Sequence, residues 1–149
     1  RTLAHLYGAE GENYSVRLLA EGLATLLIFP PNTEHVDKLK MAQSSARRAG
    51  KGLWRSELVR PVSSSEVAEH ENGVLWVEGR IERLRKTRFA VFIELPGDLV
   101  LKTTHKEWVT FESWESEFQR GQRISVLGDL YRVKGRPRIR LRHPAQLMD

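Results

Sequence analysis

Apolar positions recur along this chain with two different periods, and the change falls at Gly73. Before it the pattern is helical. Val16, Leu18, Leu19 and Leu23 form the apolar side of a first helix, which Asn13 can cap and Gly22 ends. Ahead of it, residues 2–7 (TLAHLY) read as a short strand. Behind it, Ala24 to Phe29 is apolar until Pro30-Pro31 stops any regular element. Asn32-Thr33 offers the next cap. Val36, Leu39, Ala42 (or Gln43) and Ala46 then recur at helical spacing, which predicts a helix over residues 34–49 that Gly50 ends. Residues 55–72 are polar, carry a serine triplet and lack a sustained apolar period, so they read as a linker or extended connection.

After Gly73 the period becomes two. Leu75, Val77, Gly79 and Ile81 alternate along a first strand in VLWVEGRIERL, and Gly79 inside it suggests a bulge or tight bend. RKTR (85–88) reads as a basic turn. FAVFIEL (89–95) is a second strand, PGD (96–98) a hairpin turn and LVLKTT (99–104) a third strand. A short amphipathic helix is expected from about Ser113 to Gln119, ended by Gly121. RISVLGDLYRV (123–133) makes a fourth strand, and RPRIRLR (136–142) a fifth. Five short strands with a helix between the third and fourth predict a small closed barrel. The segments VEGRI (77–81), FxxGQRISVLGDL (118–130) and GRPRIRLRHPAQL (135–147) resemble the OB-fold family, and the resemblance covers about half the chain.

Composition narrows the field. The 149 residues are 40% hydrophobic and 29% charged, as in globular domains, and suffice for one compact domain or two small ones. The longest apolar run, Leu23 to Phe29, is far short of the ~20 residues that span a bilayer, so no membrane partner is expected. Cysteine is absent, which excludes disulfides and thiolate metal sites. The net charge of +5 is unevenly spread: from Arg120 to Arg142 Asp129 is the single acidic residue among eight basic ones. That favours a polyanionic partner.

The first 56 residues carry a second resemblance. RTLAHLY (1–7), NYSVRLLAEGLA (13–24), PPNTEHVDKLKMAQSSARRAGKGLW (30–54) and Ser56 resemble the C-terminal half of the staphylococcal-type thermonuclease family. That resemblance implies a calcium-dependent phosphodiesterase parent acting on DNA and RNA. It places Arg1 on the family's second catalytic arginine, a planar cation suited to gripping a phosphate in the transition state. The family's calcium-binding aspartates, general-base glutamate and first arginine fall upstream of this match. Where the family has tyrosines before Pro-Asn-Thr, this chain has Leu26-Leu27-Ile28-Phe29. The expectation is therefore an inactive C-terminal piece that starts, on Arg1, in the middle of a domain. It holds no cofactor itself, calcium being implied for the parent. The expected fold is α+β and mainly β: a thermonuclease-like remnant of one strand and two helices (1–56), a linker (57–72) and a five-stranded OB-fold barrel (73–149). Residues 1–56 would pack on the missing N-terminal half or on another chain. Periplasmic, secreted and cytoplasmic locations all stay open, because a targeting segment could precede Arg1.

Candidate chemistry then concentrates in the basic strand. Arg136, Arg138, Arg140 and Arg142 are spaced by two, so on a strand they share one face while Ile139 and Leu141 point to the other. Four like charges in a row repel, which stability alone does not favour. The alternative to a ligand is neutralisation by Glu78, Glu82 or Glu94 on adjacent strands. Arg85, Lys86 and Arg88 border the same expected groove. Single-strand binding also needs aromatic platforms, for which Trp76 and Phe92 are the better candidates and Trp108 and Tyr131 the weaker. His5, His35, His70, His105 and His143 show no metal-ligand spacing, Ser63-Ser64-Ser65 lacks the glycine frame of a nucleophile elbow, and no phosphate-cradling glycine loop occurs. The function expected is nucleic-acid binding, single-stranded more than duplex, by the C-terminal part of a thermonuclease-like enzyme. The alternative is a noncatalytic scaffold that binds nucleic acid or protein.

Overall fold

The computed structural model describes residues 4–55 and 59–148. The chain divides between Arg60 and Pro61 into two compact units.

In the first unit Asn13 caps helix α1 (Tyr14–Ala20) as its spacing predicts, its Oδ1 accepting from the amides of Ser15 at 2.9 Å and Val16 at 3.3 Å. Gly22, at φ +69°, ends the helix; its amide donates to Leu19 O and that of Leu23 to Leu18 O. Leu19 is buried, but Leu18 and Leu23, expected on the apolar side, are exposed. Helix α2 (Val36–Arg48) starts two residues later than its pattern suggests. Asn32 and Thr33 do not cap it because they are used in a turn: Asn32 donates backbone and side chain to Phe29 O, and Thr33 N donates to Pro31 O. Left-handed His35 precedes the helix without a side-chain cap.

The buried face of α2 is Leu39, Gln43 and Ala46, not Ala42. Leu26 and Ile28 are buried beside irregular backbone. Among the described residues of this unit there is no strand, only isolated bridges at Tyr7–Asn13 and Phe29–Asn32. The amide of Leu26 therefore has no ladder partner, and the Gln43 Oε1 accepts it at 2.7 Å. A buried amide must find an acceptor, and that need selects glutamine at position 43. The strand expected at 2–7 is corrected likewise: Ala4 to Tyr7 reach one bridge, with no neighbouring strand to extend it, and residues 2 and 3 lie outside the described residues.

The second unit holds a seven-stranded sheet among its described residues, formed by β1 (Val62–Ser63), β2 (Gly73–Arg80), β3 (Arg83–Lys86), β4 (Ala90–Glu94), β5 (Val100–Thr104), β6 (Arg123–Val133) and β7 (Arg136–Arg140). Their order is β1-β2-β6-β7-β5-β4-β3. β5 pairs with β7 and β1 with β2 in parallel; the other pairs are antiparallel. The first expected strand is split. Ile81 N donates to Gln122 O beside β6, whereas the next amide, Glu82 N, donates to Glu94 O on β4. Consecutive residues thus serve strands from opposite halves of the sheet order, and the sheet curves round on itself. The bulge expected at Gly79 is corrected: the register with β6 runs unbroken through it, and glycine is needed there because a Cβ would lie 2.6 Å from the Ser64 hydroxyl.

Three further expectations are corrected. Residues 62–69 are not a free connection: they form β1 and a 3₁₀ turn whose Val67 is fully buried. Arg132 clamps that turn, donating to His70 O at 2.6 Å, Ala68 O at 3.2 Å and Asn72 Oδ1 at 2.7 Å. Arg85 and Lys86 are not in a turn but complete β3. The turn is residues 87–89, closed by the Thr87 hydroxyl, which accepts from the amides of Phe89 and Ala90. The helix starts earlier than Ser113. A capping box between Thr104 and Glu107 opens α3 (His105–Trp108) directly after β5, and a 3₁₀ segment follows over Val109–Phe118. Trp108, Phe111 and Trp114 recur every third residue, the 3₁₀ period rather than the α period.

Trp108, Phe111 and Phe118 pack together with ring centroids 5.1–5.9 Å apart. They join Val77, Ile81, Val91, Ile93, Leu101, Ile139 and Leu141 in one apolar cluster. Gly128 is needed there, since a Cβ would meet Ile139 Cγ2 at 2.5 Å. The Leu141 amide still donates to Lys102 O at 2.8 Å, but the Gln146 Oε1 takes the two amides after it, accepting from Arg142 N at 2.6 Å and from His143 N at 3.3 Å, and the strand ends.

Candidate functional site

Strict alternation in β7 buries Pro137 and Ile139 and turns Arg136, Arg138 and Arg140 outward, as their spacing predicts. Leu141 and Arg142 continue the alternation. Sheet register then sets which side chains share the outer face. One row across the strands is Arg85, Phe92, Lys102 and Arg140. The adjacent row is Arg83, Glu94, Val100, Arg138 and Tyr131. Lys102 was not among the sequence candidates. Its signal was present, since it lies outward between buried Leu101 and buried Thr103.

Repulsion along the arginine row is relieved in part. Glu107 reaches Arg140 at 3.0 Å and also accepts from its Nε at 3.2 Å. The neutralising carboxylate therefore comes from α3 and not from Glu78, Glu82 or Glu94. Glu78 is engaged by Arg123, and Glu94 lies 3.4 Å from Arg85 Nε. Burial disfavours a charge on Glu107, but hydrogen bonds from the Thr104 amide and hydroxyl, and the hydrogen bond and charge of Arg140, hold its carboxyl below the ordinary value. Burial pushes the Arg142 guanidinium below its ordinary value, and the charge of Arg140 adds to this against Glu107, Asp129 and Tyr131.

Arg136 and Arg138 make no ion pair among the described residues, and Arg138 Nε is buried without a hydrogen-bond partner. Both line a cavity of about 330 Å³ with Arg85 and Phe92. The Arg85 guanidinium lies 4.6 Å from the Phe92 ring centroid. The structure thus brings Arg85, Phe92, Arg136 and Arg138 together. Trp76 is not part of this group: it sits on β2, and its Nε1 donates to Ser125 Oγ at 2.7 Å. Trp108 is 7% exposed and belongs to the core. Lys86 pairs with Glu115 over the Trp108 ring. Arg88 covers Phe89, which is exposed at the turn. Arg1 lies outside the described residues.

In the first unit the His5 and His35 rings meet edge to face at 5.3 Å, and Tyr7 Oη lies 2.9 Å from His35 Nε2. Among the described residues no three histidine or carboxylate side chains converge as ligands for a metal ion. The donor set for the calcium implied by the thermonuclease resemblance is not found among them.

Comparison with known proteins adds three findings. The family model for staphylococcal nuclease homologues matches residues 1–56. No curated protein matches the chain. Solved structures similar to it include an S. pombe Stn1–Ten1 complex at 12% identity and a TM-score of 0.39, covering 48% of this chain and 60% of that one. A replication protein A heterotrimer bound to ssDNA is 17% identical with a TM-score of 0.36, over 49% of this chain and 56% of that one. Entamoeba histolytica asparaginyl-tRNA synthetase is 20% identical with a TM-score of 0.39, over 52% of this chain and 18% of that one. This chain therefore spans less than two thirds of each of those chains.

Proposed function

We propose that this chain is the nucleic-acid-binding C-terminal part of a thermonuclease-like protein and that it holds single strands on the outer face of β3, β4, β5 and β7. In this reading residues 1–56 are the thermonuclease-like part, 57–72 the connection and 73–149 an OB-type barrel. Counting β2 and β3 as one bent strand gives the five strands of that barrel, and β1 is an addition to its edge. The observation that carries the function is the face itself: Lys102, Arg136 and Arg138 lie around Phe92 with no acidic partner. Cations that stability does not use are available to phosphates, and a half-buried aromatic between them can meet a base.

A fluorescently labelled oligodeoxynucleotide, titrated with the full chain and read by anisotropy, tests this. Binding is expected to weaken steeply between about 50 and about 200 mM salt. Arg138→Ala is expected to weaken it and lower the salt slope by about 1. Absence of salt-dependent binding overturns the reading. The parent's phosphodiesterase activity belongs to the same proposal, with the chain by itself inactive. Cleavage of the oligonucleotide by the purified chain on adding calcium contradicts that part.

One observation favours the scaffold reading. Leu6, Leu18, Leu23 and Met41 of the first unit are large apolar side chains exposed to solvent, and a protein partner could cover them. Replacing Leu23 and Met41 by Glu separates the two readings: protein capture is then lost while oligonucleotide binding is retained.

A further inference from the structure

The cavity beside Phe92 holds more than cations. Glu82, Glu94 and Asp98 line it together with Arg85, Arg136 and Arg138, three charges of each sign. Glu94 is committed to Arg85. Glu82 and Asp98 make no ion pair among the described residues, and neither do Arg136 and Arg138. A pocket made for phosphate alone would exclude carboxylates, because a polyanion meeting Glu82 and Asp98 is repelled. This pocket is neutral in sum and offers both kinds of partner: with Glu94 and Arg85 engaged by each other, Glu82 and Asp98 are left as acceptors and Arg136 and Arg138 as donors. Its volume of about 330 Å³ lies at the small end of ligand sites, which run from roughly 300 to 1,000 Å³.

We infer that this cavity takes a guanine base of a bound single strand, which rests on the nucleic-acid reading above. Guanine presents two adjacent donors, N1–H and the 2-amino group, on its Watson–Crick edge. It presents two adjacent acceptors, O6 and N7, on the other side. Arginine pairs with O6 and N7 through two parallel hydrogen bonds, and a carboxylate accepts from base N–H groups. None of adenine, cytosine and thymine presents both of these paired edges. In this reading Arg138, whose buried Nε has no partner, and Arg136 are the donors, and Asp98 and Glu82 are the acceptors. The planar Arg85 guanidinium, which covers the Phe92 ring 4.6 Å from its centroid, forms the floor on which the base stacks. The phosphates then follow Lys102 and the outer arginines, away from the carboxylates.

The test is anisotropy titration of the full chain with octathymidylates carrying one central guanine, adenine, cytosine or inosine. Inosine lacks only the 2-amino donor. Guanine is expected to bind at least about 5-fold tighter than adenine or cytosine, with inosine losing most of that gain. In the Glu82→Gln/Asp98→Asn double variant the guanine preference disappears while affinity for plain octathymidylate rises, because two negative charges leave a surface that faces phosphates. Asn suits position 98, where φ is +59°. Equal affinity for all four bases in the wild type overturns the inference and leaves the binding reading standing; so does a preference that survives in the double variant. Failure to bind any oligonucleotide overturns the binding reading and this inference with it. Guanosine monophosphate competing as well as the strand shows a free-nucleotide site and overturns the assignment to a strand.

Discussion

The two units bury their apolar residues to different depths. In the second, Phe111, Ile93, Leu99, Leu101, Ile139 and Leu141 are wholly inaccessible. In the first, Leu19, Leu39 and Ile28 retain a few per cent of their surface, and Leu23 and Met41 are about two thirds exposed. The difference follows from how each unit satisfies its backbone. In the second unit the strands pair side by side in one sheet, so their alternation places every second side chain in a shared core. Two short helices and an irregular apolar segment have no such ladder. They rely on a buried glutamine, and their remaining apolar faces look outward.

The largest effect that can test this contrast is truncation at the centre of the second core. Phe111→Ala removes a ring packed against Trp108 and Phe118 and is expected to cost about 3–5 kcal/mol. Urea unfolding followed by tryptophan fluorescence reads it. The paired control, Leu23→Ala in the first unit, is expected to stay within about 0.5 kcal/mol. Equal losses would remove the contrast.

Sequence periodicity made the second unit more legible than the first for the same reason. The outward arginines of β7 and the capping role of Asn13 follow from spacing and local chemistry alone. Three features did not. Replacement of the predicted helix by a 3₁₀ segment depends on aromatic residues every third position, a signal that a 3.6-residue reading overlooks. Spacing left Ala42 and Gln43 both open for the buried face, and the choice of Gln43 depends on a lone amide seventeen residues away. The cavity around Phe92 is assembled by sheet register from β3, β4, β5, β7 and the segments beside them, so no local window contains it. Trp76 and Phe92 looked alike as aromatic residues within strands, and only strand order separates them.

A second, smaller perturbation sharpens the contrast from the other side. Gln43→Leu keeps bulk on the buried face of α2 but leaves the Leu26 amide without its acceptor. The expected cost is about 1–3 kcal/mol. Amide hydrogen exchange is the direct readout: protection at Leu26 falls, while protection in β4 and β7 is unchanged. Loss of protection in those strands would show that the units are not independent in stability.

The smallest expected effect concerns the point where the second unit manages its own charge. Glu107 serves two partners: it accepts from the Thr104 amide at 2.9 Å in a capping box and pairs with Arg140. Its carboxyl titrates in the folded chain below its ordinary value of 4.5. The unfolded chain therefore takes up this proton first as pH falls. The stabilisation from Glu107 is complete above pH 4.5, declines as pH drops through the lower folded value, and is gone below both. Glu107→Gln retains a capping-box residue but removes the charge. At neutral pH the variant is expected to be less stable by at most about 1 kcal/mol, since Arg140 is well exposed. In strong acid the two proteins should unfold at the same urea concentration. The same substitution releases Arg140 to the basic face, so oligonucleotide affinity at neutral pH should rise as stability falls. A stability difference that persists unchanged into acid would mean that Glu107 acts through packing and not through its charge. The basic row would then owe nothing to helix α3.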